Sequence, residues 1–192
     1  MAAKPGERKL QILQTVAQML EQPKGEKITT AALAARLELS EAALYRHFAS
    51  KAQMFEGLIE FIEQTVFGLI NKITQDEKSG VKQIEAIMTM LLSFAQKNRG
   101  MTRVLIGDAL VNEDERLQQR INQLLDRIEA TLKQSLRMAA TQGEMGEAVD
   151  VGAHANLLLC CVIGRWEQFA KSGFTRDPLA QWPVQLAILL HK

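Results

Sequence analysis

The sequence predicts an all-α protein, with three small N-terminal helices followed by a bundle of about six more. Three observations carry this. Apolar residues recur at three- and four-residue spacing along nearly the whole chain, and no stretch alternates as a half-buried strand does. Only four Pro and twelve Gly interrupt 192 residues, so long helices are possible almost everywhere. Hydrophobic residues make up 47% and charged residues 23%, an ordinary globular balance that excludes disorder and low-complexity scaffolds.

The elements follow in order. A first helix is expected over residues 8–22, burying Leu10, Ile12, Leu13, Val16, Met19 and Leu20, with Pro23, Lys24 and Gly25 ending it. Two short helices follow, over about 30–37 and 41–48, with Ser40 as N-cap of the second. Ser50 and Gln53 form a capping-box pattern that opens a helix reaching about residue 75. Ser79-Gly80 breaks the chain before a helix over 81–97, which Asn98-Arg99-Gly100 ends. A short helix over 101–106 precedes a long one over 113–139. In the long one Leu117, Ile121, Leu124, Leu125, Ile128, Leu132 and Leu136 keep the spacing of a buried stripe. Residues 141–147 read as a loop. Two final helices, over 150–171 and 178–190, are separated by Ser172-Gly173. Pro183 marks either the first turn of the last helix or a kink. The expected domains are 1–50 and 51–192.

Charge is uneven along the chain. Residues 1–51 hold eight Lys/Arg (Lys4, Arg8, Lys9, Lys24, Lys27, Arg36, Arg46, Lys51) against five acids, net +3, and the rest nets −2. A basic N-terminal quarter hints at an anionic partner. Adjacent Cys160 and Cys161 in an apolar run exclude a disulfide framework, fit a reducing compartment, and are expected to act as small core hydrophobes. No apolar stretch approaches the roughly 20 residues of a membrane span, and the N-terminus lacks a signal-peptide core. The expectation is a cytoplasmic protein without an integral membrane segment.

Residues 28–51, ITTAALAARLELSEAALYRHFASK, carry the strongest local signal. Two helices of about two turns, joined by a short turn and packed through small residues, describe a helix-turn-helix. At about 100° per residue, Leu44 and Phe48 share one face of the second helix and close a small core with Leu33 and Leu37. Ala42, Tyr45 and Arg46 share the other face, the one a DNA major groove would meet. Small Ala42 permits close approach and contact with a thymine methyl; Arg46 suits a guanine edge or a phosphate; Tyr45 offers a hydroxyl. Thr29 and Thr30 open the preceding helix, where hydroxyls and N–H groups suit a phosphate, and Lys51 can serve similarly. A helical hairpin inside a core is the competing reading of the same pattern.

Two further faces stand out. On the helix after Ser50, Leu58, Ile62, Val66, Leu69, Ile70 and Ile73 are core-like, with Phe61 on the shoulder and Phe67 opposite. On the 81–97 helix, Ile84, Ile87, Met88, Leu91, Leu92 and Ala95 form the core stripe, leaving Ala86, Met90, Ser93 and Lys97 together outside it. Such a face, extended by Asn98, suits a peptide with an acidic component; packing within the bundle is the alternative. The last two helices carry Leu157, Leu158, Cys161, Val162, Trp166 and Phe169, then Leu179, Trp182, Leu186, Leu189 and Leu190. This is enough apolar surface for two copies to form an intermolecular four-helix bundle. Catalysis has little support. His47, His154 and His191 are unpaired in sequence, no metal spacing, phosphate loop or nucleophile elbow occurs, and His154 reads as a hydrogen-bonded core residue.

The stretch ITTAALAARLELSEAALYRHFASKAQMF resembles the DNA-binding domain of the TetR family, and a TetR-like fold accounts for the whole chain. SEAALYRHF (40–48), LIEFIE (58–63), DEK (76–78), GMTRVL (100–105) and RLQQRINQLLDRIEATL (116–132) are similar to the branch of that family that blocks cell division over the nucleoid. The resemblance implies a nucleoid-associated homodimer, joined through the last two helices, on palindromic double-stranded DNA. It also implies a partner, the C-terminal tail of the division protein FtsZ, and no cofactor or small-molecule inducer. On it the DNA-binding residues are Thr29, Thr30, Ser40, Ala42, Tyr45, Arg46, His47 and Lys51, and the FtsZ-binding ones Phe61, Leu69, Met90, Ser93, Lys97 and Asn98. Three positions depart from the pattern. Glu38 replaces the usual turn Gly, which implies a strained left-handed residue or a different turn. Ala49 replaces a Pro, and Leu69 stands where a basic residue is usual. A TetR-like transcriptional repressor released by a ligand is the alternative function, and it would need a roomy pocket with a few polar groups.

Overall fold

The computed structural model describes residues 5–22, 28–146 and 150–190, which contain nine α-helices and no strand. The helices are α1 (Pro5–Leu20), α2 (Thr30–Arg36), α3 (Glu41–Tyr45), α4 (Lys51–Asp76), α5 (Gly80–Lys97), α6 (Arg99–Leu105), α7 (Glu115–Thr141), α8 (Val151–Lys171) and α9 (Trp182–Leu189), with a 3-10 turn over Asp108–Leu110 between α6 and α7. The stop expected at Pro23, Lys24 and Gly25, the end of the 141–147 loop and His191 lie outside the described residues.

Helix ends follow from local chemistry. Ser40 accepts from the Ala43 N–H at 3.2 Å and so caps α3. Ser50 accepts from the Gln53 N–H at 3.1 Å, while the Gln53 side chain takes the Ala49 N–H at 2.8 Å, a capping box shifted by one residue. α1 ends where Arg103 donates to the carbonyls of Leu20 and Gln22, a cation on orphan groups at the negative end of a helix.

Two of the boundaries that differ from the sequence expectation trace to packing. Only Asn98 separates α5 from α6; Arg99 and Gly100 are helical. Gly100 serves close packing, since a Cβ there would lie 1.9 Å from the Ala17 carbonyl oxygen on α1. α9 begins at Trp182, not 178, because Gln181 is left-handed at φ 55° and breaks any helix started earlier, while Arg165 binds the carbonyls of Pro178 at 2.5 Å and Ala180 at 3.0 Å in the turn before it. Pro183 therefore lies in the first turn of α9 and makes no kink.

The chain packs as two compact units, Met1–Ile62 with Asn98–Ile121, and Glu63–Lys97 with Asn122–Lys192. These differ from the 1–50 and 51–192 division, because the first part of α4 and all of α6 pack with the N-terminal helices. The first unit is built on Ile12, Val16, Leu33, Leu44, Phe55, Ile59 and Val104, all at 1% exposure or less. The second centres on Trp166, whose indole N–H donates to the Leu91 carbonyl at 3.2 Å, and Gly80 lets the start of α5 meet the α7 backbone at Ala139.

Several expected core residues lie elsewhere. Leu10 is 45% exposed and Leu69 42%; Leu13, Met19, Ile73 and Leu125 are half-buried. Cys160 is exposed and Cys161 half-buried, so neither is a core residue. The buried phase of α8 runs through Leu158, Val162, Trp166 and Phe169, and Cys160 stands about 200° round the helix from Leu158. Phe67 is half-buried beneath Arg127, whose guanidinium carbon lies 3.8 Å from the ring centroid. His154 is buried with Nε2 2.8 Å from the Leu189 carbonyl oxygen, as expected.

Candidate nucleic-acid interface and partner-binding residues

The helix-turn-helix lies within the first unit. Small Ala residues dominate α2, so α2 and α3 approach closely over Leu33, Leu37, Leu44 and Phe48, which are 9% exposed or less. The turn between them is closed by the Leu39 N–H donating to the Ala34 carbonyl at 2.9 Å. Glu38 sits in it at φ 55°, the strained left-handed option, which costs a side-chain-bearing residue about 1–2 kcal/mol. With the apolar pair turned inward, Ala42, Tyr45 and Arg46 are all exposed, Tyr45 by 44%. α3 is short. Arg46 is its C-cap, and His47, half-buried, continues as a turn on the Leu44 carbonyl.

Thr29 and Ser40 are the N-caps of the two helices, and their hydroxyl oxygens already accept backbone N–H groups. The Thr30 hydroxyl donates to Glu41 Oε2 at 2.6 Å, tying the start of α2 to the start of α3. Lys51, the first residue of α4, is ion-paired with Glu113 and lies 5.6 Å over the Phe55 ring. Two expected phosphate ligands are thus held by carboxylates, Glu41 and Glu113, that sequence reasoning missed. Glu41 was within reach as the first acid of α3. Glu113 lies 62 residues from its partner, and no local signal marks it. Lys9 adds a cation 5.5 Å over the Phe48 ring.

Of the residues expected to hold a peptide, Leu69, Met90, Ser93 and Lys97 fall in the second unit, and Phe61 and Asn98 in the first. On α5, Ile87, Met88, Leu91, Leu92 and Ala95 are buried inward. Met90 and Ser93 remain half-buried and Lys97 exposed at the helix end. Phe61 is 39% exposed. In the second unit, α8 and α9 also present Leu157, Val184 and Ile188, 54–69% exposed, beside exposed Cys160 and Gly164. Among the described residues no group of His, Cys, Asp and Glu gathers as a metal site, and no helix is long and apolar enough to cross a membrane.

Residues 78–192 match the family model described as Tetracyclin repressor-like, C-terminal domain. Residues 17–58 match that of the Bacterial regulatory proteins, tetR family. The nucleoid occlusion factor SlmA of Marinomonas sp. is 49% identical over 189 residues, covering 98% of this chain and 96% of that protein. SlmA of Alteromonas mediterranea is 49% identical over 186 residues, covering 97% and 95%. The TetR family transcriptional regulator PfmR from Thermus thermophilus superposes with a TM-score of 0.78 over 94% of this chain and 97% of its own, at 21% identity, a likeness of fold. A capped helix-turn-helix with Ala42, Tyr45 and Arg46 outward, in a chain matched nearly end to end by these relatives, identifies the chain as a member of the TetR family, within the SlmA group.

Proposed function

We propose that this protein is a sequence-specific DNA-binding nucleoid occlusion factor that, when bound to chromosomal sites, binds FtsZ and blocks division-ring assembly over the nucleoid. The observation that carries the DNA half is the outward trio Ala42, Tyr45 and Arg46 on a capped α3. The SlmA relatives carry the division half. Residues 1–50 do the recognition, joined by Lys51 at the start of α4, with α3 in the major groove and Thr29, Thr30, Ser40, His47 and Lys51 towards phosphates. Residues 51–192 supply the dimer and the partner surface. Two copies joined through α8 and α9 place two recognition segments on a palindrome. Phe61, Leu69, Met90, Ser93, Lys97 and Asn98 receive the FtsZ tail, the Met90 thioether, the Phe61 ring and Leu69 taking its apolar side chains and Lys97 its acids.

The test is fluorescence anisotropy of a labelled FtsZ C-terminal tail peptide, with and without a selected palindromic duplex. Tail binding strengthened by DNA and lost in Met90→Glu supports the reading. Clean DNA binding without tail binding leaves a conventional repressor. Tyr45→Ala and Arg46→Ala are each expected to weaken DNA binding by about 1–3 kcal/mol. One feature favours the repressor alternative: a cavity of about 380 Å³ in the second unit, lined by Asn71, Thr74, Gln83, Thr131, Gln134 and Ser135 with Ile70 and Met138. A ligand filling it and lowering DNA affinity would establish that function.

A further inference from the structure

We infer that Glu113 is an intramolecular competitor for DNA: its carboxylate holds the Lys51 ammonium in the free protein, and a DNA phosphate must take Lys51 from it. The inference rests on the DNA-binding reading above. Lys51 is the first residue of a 26-residue helix, so its cation stands at the positive end of the α4 dipole and needs an anion. Glu113 supplies that anion from within the same unit, with side-chain exposures of 22% for Lys51 and 13% for Glu113. Chain geometry aims it there. Asn112 just before it is held at φ 65° and Gly107 at φ 78°, folding residues 106–114 back towards α4. Two neighbouring acids are engaged otherwise, Asp108 with Arg103 and Asp114 with Arg116.

Parting the pair costs the protein a largely buried, unneutralised carboxylate. Relief requires residues 106–114 to carry Glu113 towards water, and a cavity of about 290 Å³ lined by Phe55, Arg103, Val111, Asn112 and both members of the pair leaves room for that movement. DNA affinity is therefore set below what the recognition surface alone would give, and the α6–α7 connection senses DNA.

The experiment measures affinity for a palindromic duplex selected by the wild-type protein from a random pool, at several salt concentrations. The proteins are wild type, Glu113→Gln, Lys51→Gln and the double variant, with Asp114→Asn as control, since its amide oxygen can still accept the Arg116 N–H while a neighbouring charge is removed. Circular dichroism checks that each is folded. Glu113→Gln is expected to tighten binding roughly three- to tenfold, with the gain vanishing in the Lys51→Gln background. Asp114→Asn is expected to leave affinity unchanged. An equal gain in both backgrounds, or from Asp114→Asn, reduces Glu113 to general repulsion and overturns the inference. No gain, or a loss, shows that Lys51 stays with Glu113 on DNA and also overturns it. If Arg46→Ala still weakens binding in those cases, the DNA reading stands alone. If wild type selects no duplex, that reading falls and the inference with it.

Discussion

Gly100 and Glu38 are opposite backbone problems in the same unit. At Gly100 any side chain would strike the Ala17 carbonyl of α1, which cannot yield without moving its helix. Gly100→Ala is expected to cost about 3 kcal/mol in urea unfolding and to lower DNA affinity with it, because α6 supports α1. At Glu38 the side chain is the problem. Glu38→Gly is expected to raise stability by about 0.5–1 kcal/mol, the left-handed penalty less the added freedom of the unfolded chain. The anomaly at Glu38 was legible only through the family resemblance, which puts a Gly at that place in the turn, and it left open which way the turn resolved it. The outward trio and the inward leucines were legible from angle alone. The carboxylate partners of Thr30 and Lys51 were not, since a long-range ion pair leaves no periodicity.

Elements were legible where the stripe was unbroken. Leu117, Ile121, Leu124, Ile128, Leu132 and Leu136 of α7 are all buried. The start of α7 is an electrostatic device. Asp114 accepts from the Arg116 side chain and backbone N–H, which lowers its pKa from 3.8 to about 2. A carboxylate depressed in the folded state stabilises fully above its ordinary pKa and loses that contribution as pH falls from about 3.8 towards about 2. A carboxyl NMR titration of Asp114 should show the low midpoint, moving up in Arg116→Gln. The start of α9 was not legible because it is set by a left-handed Gln181 in a turn that Arg165 of another helix holds. That guanidinium binds the Pro178 and Ala180 carbonyls, meets the Gln185 side chain, and stacks 5.2 Å from the Trp182 ring centroid. Arg165→Met is expected to free the 178–181 turn, seen as fast amide exchange there with α5 and α7 still protected. Cys161 is pushed above the usual thiol range by burial, partly offset by Arg165.

For the molecule as a whole, the succession of helices could be read from sequence, but the grouping into units could not: a helix as long as α4 belongs to whatever packs along each part of it. Copy-to-copy pairing through α8 and α9 is a proposal with a direct check. Exposed Leu157, Val184 and Ile188 would be covered, so Ile188→Asp should give a monomer in sedimentation and lose tight binding to a full palindrome while keeping weak half-site binding. Cys160 shares that face, so its alkylation by iodoacetamide should be slow in the wild type and fast in the monomeric variant.

The aromatic inventory has an optical consequence. Both tryptophans, Trp166 and Trp182, are buried in the second unit, at 0% and 3% exposure, with their N–H groups bonded to the Leu91 carbonyl and the Thr89 hydroxyl of α5. The single tyrosine is Tyr45, out on the recognition segment. Indole emission therefore reports the melting of one unit while phenol emission reports the exposed end of α3 in the other. The unmodified protein carries a separate built-in dye for each unit.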